Sequence, residues 1–214
     1  AWIDPGDVVL VPDPGYPPYK SGTQFAGGTP VLMPLKEENG FLPDLEAIPQ
    51  EALKKAKIIF VNYPNNPTGA MAPKAFYEEL VSWAREHKIL VASDLAYSEV
   101  YFGKEKPLSL FEIRGAKDVV IEFHSLSKTC NMTGWRVGFA LGRPEVIDAL
   151  LRVKMNIDSG VFTAVQKTAA EALKKSFGFS AETNRLYRRR RDLLVAGRKE
   201  LGFPVRPNPS TFYV

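Results

Sequence analysis

A single cysteine, Cys130, occurs in the 214 residues. That excludes an intrachain disulfide and any metal site built from cysteines alone. Histidine is nearly as scarce: His87 and His124 are the only two, too few for the usual zinc clusters. No apolar run approaches the ~20 residues that a membrane span needs. The opening Ala1-Trp2-Ile3-Asp4-Pro5 has no basic segment followed by an apolar one, so it does not read as a signal peptide. Neither an internal repeat nor a low-complexity tract is visible. Together these absences point to a reduced, cytoplasmic setting, with no metal and no membrane.

What is present is ordinary for a folded domain: 45% hydrophobic and 24% charged residues. The net charge of +4 suits an anionic ligand and is no nucleic-acid signature by itself. Part of the excess is local, in Arg185, Arg188, Arg189, Arg190 and Arg191. Tyr187 is the only aromatic in that stretch, so the run reads as a solvated helix face rather than a phosphate-backbone patch. Residue 1 is not Met, and 211–214 reads as a strand with no successor. The expectation is a piece of a longer polypeptide.

Six nearly continuous apolar runs read as strands: 8–12, 29–35, 57–62, 89–94, 118–125 and 137–142. Such runs belong to a sheet covered on both faces. Helical patterns fall between and after them, at 16–25, 43–56, 74–87, 144–154, 162–175 and 181–201. In 74–87, Phe76, Leu80, Val81 and Ala84 share one face. Alternating strands and helices give an α/β class with a three-layer α-β-α build and a mostly parallel sheet. Residues 204–209 read as a linker, dividing a large domain at 1–203 from the start of a small one at 204–214.

Ligands of such sheets sit beyond the carboxyl ends of the strands. Four segments follow strand ends there. The first is Pro14-Gly15-Tyr16. The second is Asn62-Tyr63-Pro64-Asn65-Asn66-Pro67-Thr68-Gly69, whose composition also suits a plain rigid turn. The third is Asp94-Leu95-Ala96-Tyr97. A carboxylate at the end of an apolar strand is costly unless it is paired; it could cap a following helix or meet a cationic ring nitrogen. The fourth runs from His124 through Ser125, Leu126, Ser127 and Lys128 to Arg136. Lys128 is a candidate Schiff-base nucleophile, because desolvation lowers a lysine pKa. Ser125, Ser127 and Arg136 could bind a phosphate through hydroxyls and a guanidinium fork. His124 reads as a packed residue. Cys130 reads as inert filler, since nothing in the sequence activates it.

Ser125-Leu126-Ser127-Lys128, followed by Met132-Thr133-Gly134-Trp135-Arg136, resembles the signature of class I/II aminotransferases, the fold-type I enzymes that use pyridoxal 5′-phosphate. Asn66-Pro67-Thr68-Gly69 and Asp94-Leu95-Ala96-Tyr97 match the same family in the same order. The ordered set covers nearly the whole chain. Asp13-Pro14-Gly15-Tyr16-Pro17-Pro18-Tyr19 and the residues around Lys128 look most like the branch acting on LL-diaminopimelate, aspartate or alanine.

The resemblance implies a fold: the large cofactor-binding domain with its seven-stranded type of sheet, incomplete at both ends. It also implies roles. Lys128 would hold the cofactor and shuttle the substrate proton. Asp94 would keep the pyridine nitrogen protonated. Tyr97 and Asn66 would bond the phenolic oxygen, Tyr16 would stack on the ring, and Ser125, Ser127 and Arg136 would hold the phosphate. The substrates would be an amino acid and a 2-oxo acid such as 2-oxoglutarate, and the assembly a homodimer. Three relatives of the fold remain as alternatives. They are a β-C–S lyase, a cofactor-binding transcriptional regulator, and an acyl-CoA-condensing enzyme. The last is disfavoured because Tyr97 stands where a histidine is expected. Residues 1–214 do not include the family's Gly/Ser-rich phosphate turn, its N-terminal arm or the domain with the substrate-carboxylate arginine. Cys130 stands where an aromatic is expected.

Overall fold

The computed structural model describes residues 1–214 apart from 176–179. Its centre is one six-stranded sheet, β1 (Val8–Asp13), β2 (Thr29–Pro34), β3 (Ala56–Val61), β4 (Leu90–Asp94), β5 (Val120–Ser125) and β6 (Gly138–Gly142). The spatial order is β2-β1-β3-β4-β5-β6. All pairs are parallel except β5 with β6, which is antiparallel. The sheet is thus mostly parallel, with six strands here. The inner strands are apolar on both faces because both faces are covered; β1 is buried from Val8 to Pro12. The edge strand β2 carries Pro30 and Pro34, which a central strand could not accommodate without losing ladder bonds.

Three helices cover the sheet. On one face α3 (Lys74–His87) buries Phe76, Tyr77, Leu80, Val81 and Ala84 against Leu10, Ile59, Val91 and Val120. The fully buried Leu80, Leu10 and Ile59 each contribute about 2 kcal/mol of apolar burial. On the other face lie α1 (Pro17–Phe25), which brings Tyr19 onto Val9 and Val11, and α5 (Pro144–Ile157), which brings Val146 onto Leu90, Ala92 and Ile121. Helix on sheet on helix is the three-layer architecture expected.

Three expectations need correction. The helix expected over 43–56 is a single turn, α2 (Gln50–Leu53). Asp44 accepts from the backbone N–H groups of Glu46 and Ala47, which fixes a local turn in place of helix. Pro49 then supplies the extended residue before α2. The helices expected at 162–175 and 181–201 form one element, α6 (Thr163–Glu200); most of the break falls outside the described residues. The strand expected at 211–214 is absent, and only an isolated bridge pairs Tyr101 with Ser210.

The arginine run is also only partly solvated. Arg191 donates to the Asn208 carbonyl at 2.6 Å and lies over the Phe102 ring. Arg188 donates to the Phe102 carbonyl. Arg185, Arg188, Arg189 and Arg190 are all exposed, and only Arg191 is half-buried. No helix among the described residues is long and apolar enough to cross a membrane, and they contain no cluster of metal-ligating side chains.

Candidate active site

Sheet order sets where the site lies. The chain leaves β1 outward to β2, then returns to β3 on the other side and continues to β6. The carboxyl ends of β1 and β3 flank the resulting switch point, where open α/β sheets bind ligands. Tyr16 follows β1, Asn62 to Asn66 follow β3, Asp94 ends β4, and Lys128 follows β5.

Asp94 is the most constrained of these. Its Oδ2 accepts from the Tyr19 hydroxyl at 2.6 Å, and its Oδ1 accepts from the Ala96 backbone N–H at 3.2 Å. Burial pushes its carboxyl above the ordinary carboxylate range; the Tyr19 bond, the Ala96 bond and the charge of His124 pull partly back. No helix follows β4 for Asp94 to cap, so its bond to Ala96 closes a turn instead. Tyr19 stacks on Phe60 at 4.6 Å and meets Tyr16 edge-on at 5.7 Å. Tyr16 itself is 45% exposed, beside Asp94's partner Tyr19.

The turn after β3 is built by two asparagines that hold the backbone. Asn62 donates to the Asp94 carbonyl and accepts from the Asn66 N–H. Asn65, fully buried, accepts from the Thr68 N–H and hydroxyl. These bonds leave the half-buried Asn66 amide without a side-chain hydrogen bond among the described residues.

Ser125 ends β5 and begins α4 (Leu126–Thr129), its hydroxyl accepting from the Ser127 N–H at 3.2 Å. That turn carries Ser127, buried, and Lys128, half-buried. The following loop folds back through Thr133, whose hydroxyl donates to the Ser127 carbonyl while its own carbonyl accepts from Arg136. Register then pairs Ser125 with Gly138, so the exposed Arg136 stands two residues before the strand position opposite Ser125. Lys128 makes no ion pair among the described residues. Its ammonium lies 5.7 Å from the centroid of Phe212, whose ring meets Tyr97 edge-on at 5.5 Å. Tyr97 is buried, and its hydroxyl is 2.8 Å from that of Tyr213. Burial above all raises its phenol pKa, with Tyr213 and Asp94 adding to the rise.

His124 is packed, as its sequence setting implies: it stacks on Phe139 at 4.7 Å and shares a 2.9 Å bond with Glu122. Cys130 lies beside Leu126 and Met132, and burial pushes its thiol up, away from reactivity. Sequence reading missed Tyr19 as Asp94's partner, the structural asparagines Asn62 and Asn65, and the pair Phe212 and Tyr213. Tyr19 stands three residues after Tyr16, a helical spacing that puts both on one face; that was the available signal. A cavity of about 680 Å³ between residues 31–49 and α3 holds none of the site residues.

A family model described as aminotransferase class I and II matches residues 1–214. The chain belongs to this family, whose members use pyridoxal phosphate. Among its relatives, the LL-diaminopimelate aminotransferase of Halothermothrix orenii is 54% identical over 213 residues and that of Aquifex aeolicus 51% over 214. Each match takes in 100% of this chain and 55% of the relative. The chain therefore spans about half the length of the curated relatives it matches. Among solved structures, substrate-bound BacF from Bacillus subtilis superposes with a TM-score of 0.94 at 43% identity, over 99% of this chain and 54% of that one. A Thermus thermophilus aspartate aminotransferase mutant gives 0.90 at 35% identity, over 98% and 58%.

The donor set fits such a cofactor. A half-buried carboxylate with no cationic side chain bonded to it among the described residues suits a protonated ring nitrogen. A lysine amine with no ion pair among the described residues suits an aldehyde, and the half-buried Asn66 amide, free of side-chain bonds among them, suits a phenolic oxygen.

Proposed function

We propose that the whole protein is a pyridoxal-phosphate-dependent aminotransferase that moves an amino group between an amino acid and a 2-oxo acid such as 2-oxoglutarate. One observation carries the reading: the half-buried Asp94 carboxylate is bonded to Tyr19 but, among the described residues, to no cationic side chain, and it shares a strand-end cluster with Lys128, which makes no ion pair among them. The relatives named LL-diaminopimelate aminotransferases support that amino acid as the donor. When bound, the cofactor supplies an electron-withdrawing pyridinium ring that acidifies the substrate Cα–H.

The residues of this chain do the rest. Asp94 holds the proton on the ring nitrogen, and Tyr19 holds Asp94. Lys128 would anchor the cofactor through its amine and, with that amine free, would serve as the general acid/base that moves the substrate's Cα proton. Tyr97 and Asn66 donate hydrogen bonds to the phenolic oxygen. Tyr16 covers one ring face and excludes water from it. Ser125, Ser127 and Arg136 grip the phosphate, Arg136 as the charge partner. In the same reading, residues 1–203 form the large domain, 204–214 begin a smaller one, and the protein is a cytoplasmic homodimer.

The test supplies the whole protein with pyridoxal phosphate, LL-diaminopimelate and 2-oxoglutarate and assays glutamate. Glutamate formation that disappears in Lys128→Ala supports the reading. Formation that persists in Lys128→Ala, or none with LL-diaminopimelate, aspartate or alanine, contradicts it.

A further inference from the structure

The segment after α6 does not hang free. Ser210 bridges to Tyr101. The Phe102 N–H donates to the Pro209 carbonyl at 2.8 Å and the Thr211 N–H to the Val100 carbonyl at 3.0 Å. The Ser210 hydroxyl donates to the Gly69 carbonyl at 2.9 Å, tying the segment to the turn that carries Asn66. From the other side, Arg191 donates to the Asn208 carbonyl. Ser210 and Thr211 are fully buried, and Thr211 is held at φ +62°, a backbone state that β-branched residues avoid. Strain of this kind persists only where the surroundings over-determine it.

What the clamp delivers is a pair of rings. Phe212 lies between Tyr97, Tyr187 and the Lys128 ammonium. Tyr213 places its hydroxyl 2.8 Å from that of Tyr97. A phenol has one proton to donate, so only one of the two hydroxyls donates in this contact. If Tyr213 donates, the Tyr97 proton is left for another acceptor. The groups facing Tyr97 are Asp94 at the end of β4, Tyr16 before α1, and Tyr213. Asp94 already accepts from Tyr19 and Ala96.

We propose that Tyr213 is a positioning residue: its hydroxyl donates to Tyr97 and so directs the Tyr97 proton at the cofactor's phenolic oxygen. The proposal rests on the cofactor site described above. Accepting a bond also polarises the Tyr97 hydroxyl and makes it the stronger donor. A donor to the phenolic oxygen is worth most when that oxygen carries full negative charge. Weakening it therefore raises the pH at which the bound cofactor loses its proton.

The measurement is the pH midpoint of the bound cofactor's visible absorbance in the whole protein, for four forms: unsubstituted, Tyr213→Phe, Tyr97→Phe and the double variant. Phenylalanine keeps the ring contacts. The expected result is a rise of a few tenths of a pH unit in Tyr213→Phe, on the order expected for one cooperative bond, and a larger rise in Tyr97→Phe. In the Tyr97→Phe background, Tyr213→Phe should add nothing further. An unmoved midpoint in Tyr213→Phe overturns the proposal. So does an equal shift in the Tyr97→Phe background, because Tyr213 would then act through the fold. If the unsubstituted protein binds no pyridoxal phosphate, the functional reading fails and this proposal fails with it.

Discussion

Asp94 works against the fold at neutral pH. Burial raises its carboxyl above the ordinary value of 3.8, so the folded, cofactor-free protein binds that proton more tightly than the unfolded chain. Linkage then makes stability fall as pH rises from that value through the raised one. Asp94→Asn should flatten this fall, leaving the cofactor-free protein more stable near pH 7; thermal midpoints across about pH 4 to 8 check it. The same change should lower kcat about 10²–10³-fold, the size of losing a major electrostatic group, while the cofactor still binds. A variant with unchanged kcat would show that Asp94 only closes its turn. Asp94 was legible in the sequence because a carboxylate ending an apolar strand demands a partner. Tyr19 was not: an aromatic on a helix reads as core. That its hydroxyl meets a carboxylate 75 positions away depends on the order of strands. Tyr213, 116 positions from Tyr97, was hidden for the same reason.

At the scale of elements, the contact between β5 and β6 holds the phosphate-binding candidates in register. Gly138 sits opposite Ser125, and a Cβ there would lie 2.4 Å from the His124 carbonyl oxygen. Backbone cannot yield as a flexible side chain can, so Gly138→Ala should push β6 away and separate Arg136 from Ser125 and Ser127. The expected outcome is cofactor affinity weakened at least about tenfold, the equivalent of roughly 1.4 kcal/mol, read by titration with pyridoxal phosphate; unchanged affinity would show that Arg136 does not depend on this register. The strands themselves were legible as apolar runs bounded by turn residues. The helix at 43–56 was misread because Leu45, Ile48 and Leu53 keep helical spacing while Asp44 and Pro49 direct the backbone elsewhere. Arg191 was misread because a charged run gives no sign of which guanidinium group turns inward to find a carbonyl.

For the whole molecule, one sheet gathers four strand ends that are far apart in sequence into a single edge, and every candidate residue but the last two rings ends a strand or lies on a segment that follows one. The candidate residues gather along the carboxyl edge of the sheet that holds its switch point, in a chain of the aminotransferase class I and II family. The central claim is that Lys128 holds it. Borohydride reduction of the whole protein loaded with pyridoxal phosphate, followed by digestion and mapping of the labelled peptide, tests that claim most directly. The account predicts label on Lys128, in the peptide containing Ser125, Ser127 and Arg136 or its cleaved part; label on any other lysine would contradict it.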